Sequence, residues 1–251
     1  MSSPHFTPLQ AVGYRLSTRS SSLKELRVGQ KVVIVWSQQW STSIADALGA
    51  TQVPSTMFED AYWLRTVDTD SGGATVAFAP LGAPGTIMMM EDLIACGAKA
   101  IVGVGAAGAL NPLHPVGNIL IPERCVVIDE GTSAHYPLSG QPSVDTGLRQ
   151  ELISILGLHG ARIATGKWWT TDGFYREMSG DITRHAKSGI LGIDMETSAM
   201  YRVAQYRGVT ACNMLVVSDG LWDGWHYGPG SNEFQNGVEA MLATAIGWAS
   251  A

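Results

Sequence analysis

From residue 31 onward the chain alternates short β-branched runs with longer stretches of helical spacing. That alternation limits its folds more than any other feature. Val32–Trp36, Ala74–Ala79, Lys99–Val104, Asn118–Ile121, Cys125–Ile128, Arg162–Thr165 and Ala211–Val217 predict strands. Ser43–Leu48, Gly85–Cys96, Thr146–Leu158, Glu177–Lys187, Met195–Tyr206 and Asn232–Ala249 predict helices, with Gly97 and Gly208 where C-terminal glycine caps belong. Strands joined by helices pack as an α/β layer fold with right-handed crossovers. No composition break, linker or repeat divides residues 31–251, so one domain is expected there. Residues 1–30 include Ser20, Ser21 and Ser22 in a row and hold no periodicity, which predicts a loose N-terminal arm.

Composition narrows the partners. The 16 Lys and Arg against 22 Asp and Glu give a net charge of −6, which argues against a nucleic-acid binder that needs a basic surface. The three cysteines, Cys96, Cys125 and Cys212, lie far apart without CxxC or CxxH spacing, so neither a zinc cage nor a disulfide framework is expected. They read as small apolar residues in a reducing compartment. The start MSSPHFTPLQ lacks a signal peptide's basic and apolar regions, and no apolar run approaches the roughly 18 residues of a membrane span. A cytoplasmic protein that binds a small molecule, with no membrane partner, is the expectation.

In open α/β sheets ligands sit beyond the carboxyl ends of strands, which directs attention to a few segments. Gly103–Leu110 is small enough for close backbone approach, but it lacks a Walker lysine and runs on to Pro112. It reads equally as a packing site or a ligand contact. Asp194 and Glu196 stand at the mouth of an apolar helix. They could serve as capping acids, worth about 0.3–1 kcal/mol, or one could accept hydrogen bonds from a sugar diol. Ser218-Asp219-Gly220 ends a hydrophobic strand; burial there would favour a protonated aspartate able to act as a general acid, and a turn or capping aspartate is the plainer alternative. Trp168–Arg176 concentrates aromatics and hydroxyls, which suits core packing or stacking on a planar base. The six histidines are scattered, so no metal set is expected.

Taken in order, Gly105–Leu110, Asp129–Tyr136, Thr170–Tyr175, Met195-Glu196 and Ser218-Asp219 resemble the nucleoside phosphorylase and nucleosidase superfamily, over nearly all of residues 31–250. The resemblance implies a single-domain three-layer α/β/α sandwich around a mixed, partly barrel-like sheet. It also implies a homo-oligomer, dimer or hexamer, and cleavage of an N-glycosidic bond through an oxocarbenium-like sugar without a cofactor. Carried over by position, Glu196 binds the ribose hydroxyls, with Met195 packed under the sugar. Phe174 and Tyr175 line the base beside Thr171, and Asp219, next to Ser218, protonates the departing base.

The departures fall at the anion end. The superfamily's phosphate loop after the first strand is replaced by Trp36-Ser37-Gln38-Gln39-Trp40, with Trp40 at its arginine position. The second phosphate arginine falls at Gly103, and the hydroxyl residue of the small-residue loop falls at Ala106. Hydrogen bonds to a charged group are worth about 1.5–3 kcal/mol each, so phosphate loses several kcal/mol here. Water is the expected nucleophile, although the nucleosidases' water-activating glutamate has no counterpart in Val32–Trp40. Two alternatives remain: a repurposed enzyme whose Trp36, Trp40, Trp168 and Trp169 form an apolar chamber for a non-nucleoside, and a non-catalytic binding protein.

Overall fold

The computed structural model describes residues 5–23, 25–58, 61–69 and 72–251. Among these, ten strands form one sheet: Lys31–Val35 (β1), Thr51–Val53 (β2), Leu64–Val67 (β3), Ala74–Phe78 (β4), Ala100–Ala109 (β5), Ile119–Val127 (β6), Ile163–Thr170 (β7), Ile190–Asp194 (β8), Thr210–Gly220 (β9) and His226–Tyr227 (β10). The helices are Pro8–Ser17 (α1), Gln38–Ala47 (α2), Ala83–Ala95 (α3), Thr146–Leu158 (α4), Ser179–Lys187 (α5), Thr197–Arg207 (α6) and Asn232–Ser250 (α7).

β5 organises the sheet. It runs parallel to β1 and β9 and meets the end of β8 antiparallel, with Gly108 opposite Ile193 and Ala109 opposite Gly192. Because β9 continues to β6, β6 to β7 and β7 to β8, these pairings close a five-strand ring. The other arm, β1-β4-β3-β2, stays open. The sheet is therefore mixed and partly barrel-like, as expected.

Helices cover both faces. β1 alternates Val32 and Ile34 toward one core with Val33 and Val35 toward the other, and all four are fully buried. The first core is completed by Met89, Met90 and Leu93 of α3 and by Met200 and Val203 of α6. The second takes Ile44 of α2, Leu152 and Leu156 of α4, and Met241 and Trp248 of α7. A third, smaller cluster puts Trp169, Ile190 and Ile193 under α5. Cys125 and Cys212 are buried, and Cys96 is half-buried; all three are free thiols.

Three expectations change. Asn118–Ile121 and Cys125–Ile128 merge into β6, whose register shifts carry the chain past Pro122. Gly103–Leu110 is not a loop but largely the second half of β5, which the ring needs as a strand. The N-terminal stretch is not loose throughout: residues 8–17 form α1, while residues 1–4 and 24 lie outside the described residues. Thr7 caps α1 by accepting from the Gln10 amide at 3.2 Å, and the Gln10 side chain accepts from the Thr7 amide at 2.8 Å. Val12 and Leu16 enter the first core, and Arg15 donates to Asp92 of α3 at 2.5 Å. None of the helices among the described residues is long and apolar enough to cross a membrane.

Leu16 is fully buried, so Leu16→Ala is expected to lower unfolding free energy in urea by about 2–5 kcal/mol. A loss below about 0.5 kcal/mol, the range of surface substitutions, would mean α1 is not docked.

Candidate active site

Where the ring meets the open arm, a cavity of about 410 Å3 is lined by Leu81, Ala106, Ala107, Gly108, Phe174, Glu177, Ile193, Asp194, Met195, Glu196, Ser218 and Asp219. That volume suits a small ligand. The wall comes from the ends of β5, β8 and β9 and the loops after β4 and β7, as strand-end logic requires.

The two acids at the α6 mouth divide the work that the sequence left open between them. Asp194 does the capping. Its Oδ2 accepts from the Thr197 amide at 2.9 Å and from the Thr197 hydroxyl, and its Oδ1 accepts from Trp168 Nε1 at 2.9 Å and Thr170 Oγ1 at 2.8 Å. Glu196 makes no capping bond. Its carboxyl accepts from the Gly82 amide at 2.7 Å and the Met195 amide at 3.3 Å, which aims it along the cavity wall. Gly82 presents that amide at φ 88°, a conformation that favours glycine. Burial, reinforced by the charge on Asp194, raises the pKa of Glu196. Burial raises the pKa of Asp194 as well, against the pull of its four donors.

Behind this pair a polar chain fixes the geometry. Thr170 Oγ1 accepts from the Ser198 amide at 3.0 Å, and Ser198 Oγ donates to Asp129 at 2.6 Å. Burial works to raise the Asp129 pKa, but hydrogen bonds from Ser133 and Ser198 outweigh it and leave the group below the ordinary carboxylate range. The loops after β6 and β7 clasp reciprocally: the Asp172 amide donates to Glu130 at 2.6 Å and the Glu130 amide to Asp172 at 3.1 Å.

At the other end, Asp219 is half-buried rather than buried. Its Oδ1 accepts from Ser218 Oγ at 2.6 Å and its Oδ2 from Trp225 Nε1 at 2.9 Å, so each oxygen already receives a donor. Glu177 shares this wall. Sequence reasoning treated it only as the start of a helix; the chain turns at Gly173 and brings it back over the cavity before α5 begins. Burial, followed by the charge on Asp219, pushes Glu177 up to about 7.

Of the expected site residues, Glu196, Met195, Phe174, Ala106, Ser218 and Asp219 line the cavity, and three others do not. Tyr175 is 94% exposed, its ring edge-on to Phe174. Thr171 is buried and donates to Glu130 at 3.1 Å, which places it in the loop clasp. Trp40 sits in the first turn of α2 and packs toward Phe234 of α7, because Ser37 caps the helix and turns residue 40 onto the second core. The supposed chamber of four tryptophans also dissolves. Trp168 is fully buried against Asp194, and Trp169 packs on His185.

Trp36 takes the position that matters. Its Nε1 donates to Thr86 Oγ1 of α3 at 2.8 Å, and its ring covers β5 at Gly103 and Gly105. A Cβ on Gly105 would stand 2.9 Å from Trp36 Cε3. One on Gly103 would stand 2.4 Å from Asn213 Oδ1 and 3.0 Å from Trp36 Cη2. Glycine is required at Gly105 by the indole and at Gly103 chiefly by Asn213, with the indole beside it.

Comparison with known proteins agrees with this geometry. The family model described as the Phosphorylase superfamily matches residues 59–247. The chain belongs to the phosphorylase superfamily. A DeoD-type purine nucleoside phosphorylase of Bacillus cereus is 27% identical over 168 residues, 66% of this chain and 71% of that protein. One of Bacillus thuringiensis (strain Al Hakam) is 26% identical over a span of the same length. The crystal structure of purine nucleoside phosphorylase from Toxoplasma gondii in complex with immucillin-H aligns with TM-score 0.78 at 24% identity, covering 91% of this chain and 92% of that one. Uridine phosphorylase from Vibrio fischeri ES114 aligns with TM-score 0.77 at 24% identity, covering 89% and 92%.

Replacing Asp194 by Asn puts an amide donor among four donors. Asp194→Asn is expected to cost about 2–4 kcal/mol of stability in chemical denaturation, the range for losing charge-assisted bonds in a buried site. Wild-type stability in that variant would contradict the assignment of a fully hydrogen-bonded Asp194.

Proposed function

We propose that the protein cleaves the N-glycosidic bond of a nucleoside or nucleoside-like metabolite with water, not phosphate, as the nucleophile. Superfamily membership and the nucleoside phosphorylases among its relatives support the substrate class. The observation that carries the choice of nucleophile is the packing of Asn213 and the Trp36 indole against Gly103, and of the indole against Gly105, where no arginine side chain can grow.

A phosphate dianion needs cations or several charge-assisted donors to replace its hydration. Among the described residues, no lysine, arginine or histidine lines the cavity, which carries four carboxyls instead. A neutral nucleophile suits such walls. The sugar cation that develops as the bond breaks suits them too, since negative groups stabilise an oxocarbenium-like transition state. In this reading Glu196, fixed by two backbone amides, anchors the sugar hydroxyls, with Met195 beneath the ring. Phe174 covers the base, and Ser218 and Asp219 stand at the leaving-group end. The exposed apolar side chains of Phe174, Tyr175 and Met178 beside the cavity support a homo-oligomer, dimer or hexamer, in which a second copy covers them.

The test is a panel of purine and pyrimidine nucleosides incubated with and without phosphate, with free base followed by chromatography. Base release independent of phosphate is expected, and Glu196→Gln is expected to lower kcat/KM by about 100-fold, or roughly 2.7 kcal/mol. Release proportional to phosphate would overturn the assignment. Silence with every nucleoside would overturn the substrate class.

A further inference from the structure

Four carboxyls face one cavity, and three of them are already committed. Asp194 receives four donors, Glu196 receives two backbone amides, and Asp219 receives the Ser218 hydroxyl and the Trp225 indole N–H. Glu177 is half-buried in the same wall and has no hydrogen bond or ion pair with any described residue. It is the carboxyl whose hydrogen-bonding capacity is left for a ligand.

A group that protonates a leaving base must hold a proton at working pH and release it to a heteroatom in reach. Both oxygens of Asp219 are already engaged, Oδ1 with Ser218 Oγ and Oδ2 with Trp225 Nε1. The groups facing Glu177 are Asp219 from β9 and, along the cavity, Asp194 and Glu196 from the β8–α6 junction; Arg176, its chain neighbour, is exposed. The charge on Asp219 adds to burial in favouring a neutral Glu177.

We propose that Glu177 is the group that hands a proton to the departing base, with Asp219 held beside it by Ser218 and Trp225. This rests on the cleavage reading above and names its acid. The Glu177 O–H proton goes to a ring nitrogen of the base as the C–N electron pair leaves with that base. A water oxygen forms the new bond to the anomeric carbon. The water's surplus proton passes to solvent, which reprotonates Glu177, so the sum is nucleoside plus water giving base plus free sugar.

The test compares wild type with Glu177→Gln on a nucleoside and on p-nitrophenyl β-D-riboside, whose leaving group departs as an anion without needing a proton. Wild-type kcat/KM for the nucleoside is expected to fall as pH rises through about 7, where Glu177 loses its proton. Glu177→Gln is expected to lose about 100-fold on the nucleoside and to lose that alkaline limb, with a loss on the p-nitrophenyl riboside smaller by about tenfold or more. Equal losses on the two substrates would mean a structural role and overturn the proposal. So would a nucleoside rate within about threefold of wild type with the pH limb retained. Infrared difference spectra of wild type minus Glu177→Gln give a readout that needs no turnover. A carboxyl C=O band present at pH 5 and absent at pH 9 is expected, and no such band would overturn the proposal. Base release by wild type with an indifferent Glu177→Gln defeats the acid assignment alone; no release from any nucleoside defeats the cleavage reading and the assignment together.

Discussion

Strand β5 forms main-chain ladders with three partners, β1, β9 and β8, and everything at the site follows from that crowding. A strand so enclosed cannot carry large side chains on its second half, and Gly103, Gly105, Ala106, Ala107 and Gly108 meet that demand. Gly108 lets Ile193 and Leu221 approach within 3.1 and 2.9 Å of where a Cβ would stand, which holds β8 and the chain after β9 against the ring. Glu196 and Asp219 are thereby brought into the wall of one cavity. The small-residue run divides by residue. The glycines pack, while Ala106, exposed between buried neighbours, faces the cavity.

Trp36 uses that smallness. Its ring rests against Gly103 and Gly105, and its Nε1 donates to Thr86. A side chain at residue 105 and the ring of residue 36 cannot occupy the same space, and at residue 103 Asn213 shares in the exclusion. Among the described residues, the titratable groups that line the cavity are all acidic, which is the electrostatic ground of the proposed choice of a neutral nucleophile.

Much of this was legible in the sequence. Periodicity placed α4 at Thr146–Leu158 and the long C-terminal helix from Asn232, since both have a clear apolar stripe and a side-chain cap in Asp145 and Ser231. The collinear motifs located Glu196, Met195, Phe174 and Asp219 because each sits at a strand end. The short strands β2 and β3 were missed, having only three and four residues. Helix α1 was missed although Thr7, Pro8 and Gln10 form a capping box, because composition in residues 1–30 outweighed that local signal. Trp40 misled for a geometric reason: motif position says which residue replaces an arginine, but the cap at Ser37 decides where its side chain points. Glu177 carried no motif, and only the fold of the loop after β7 brings it beside Asp219.

The central claim is that Trp36 has displaced the anion, so that water reaches the anomeric carbon. The most direct measurement is product analysis of a reaction run in 18O-labelled water with phosphate also present, read by 31P NMR and mass spectrometry. Free sugar carrying one heavy oxygen at the anomeric position, with no phosphomonoester resonance, is the predicted result. A sugar phosphate whose anomeric oxygen comes from phosphate would contradict it.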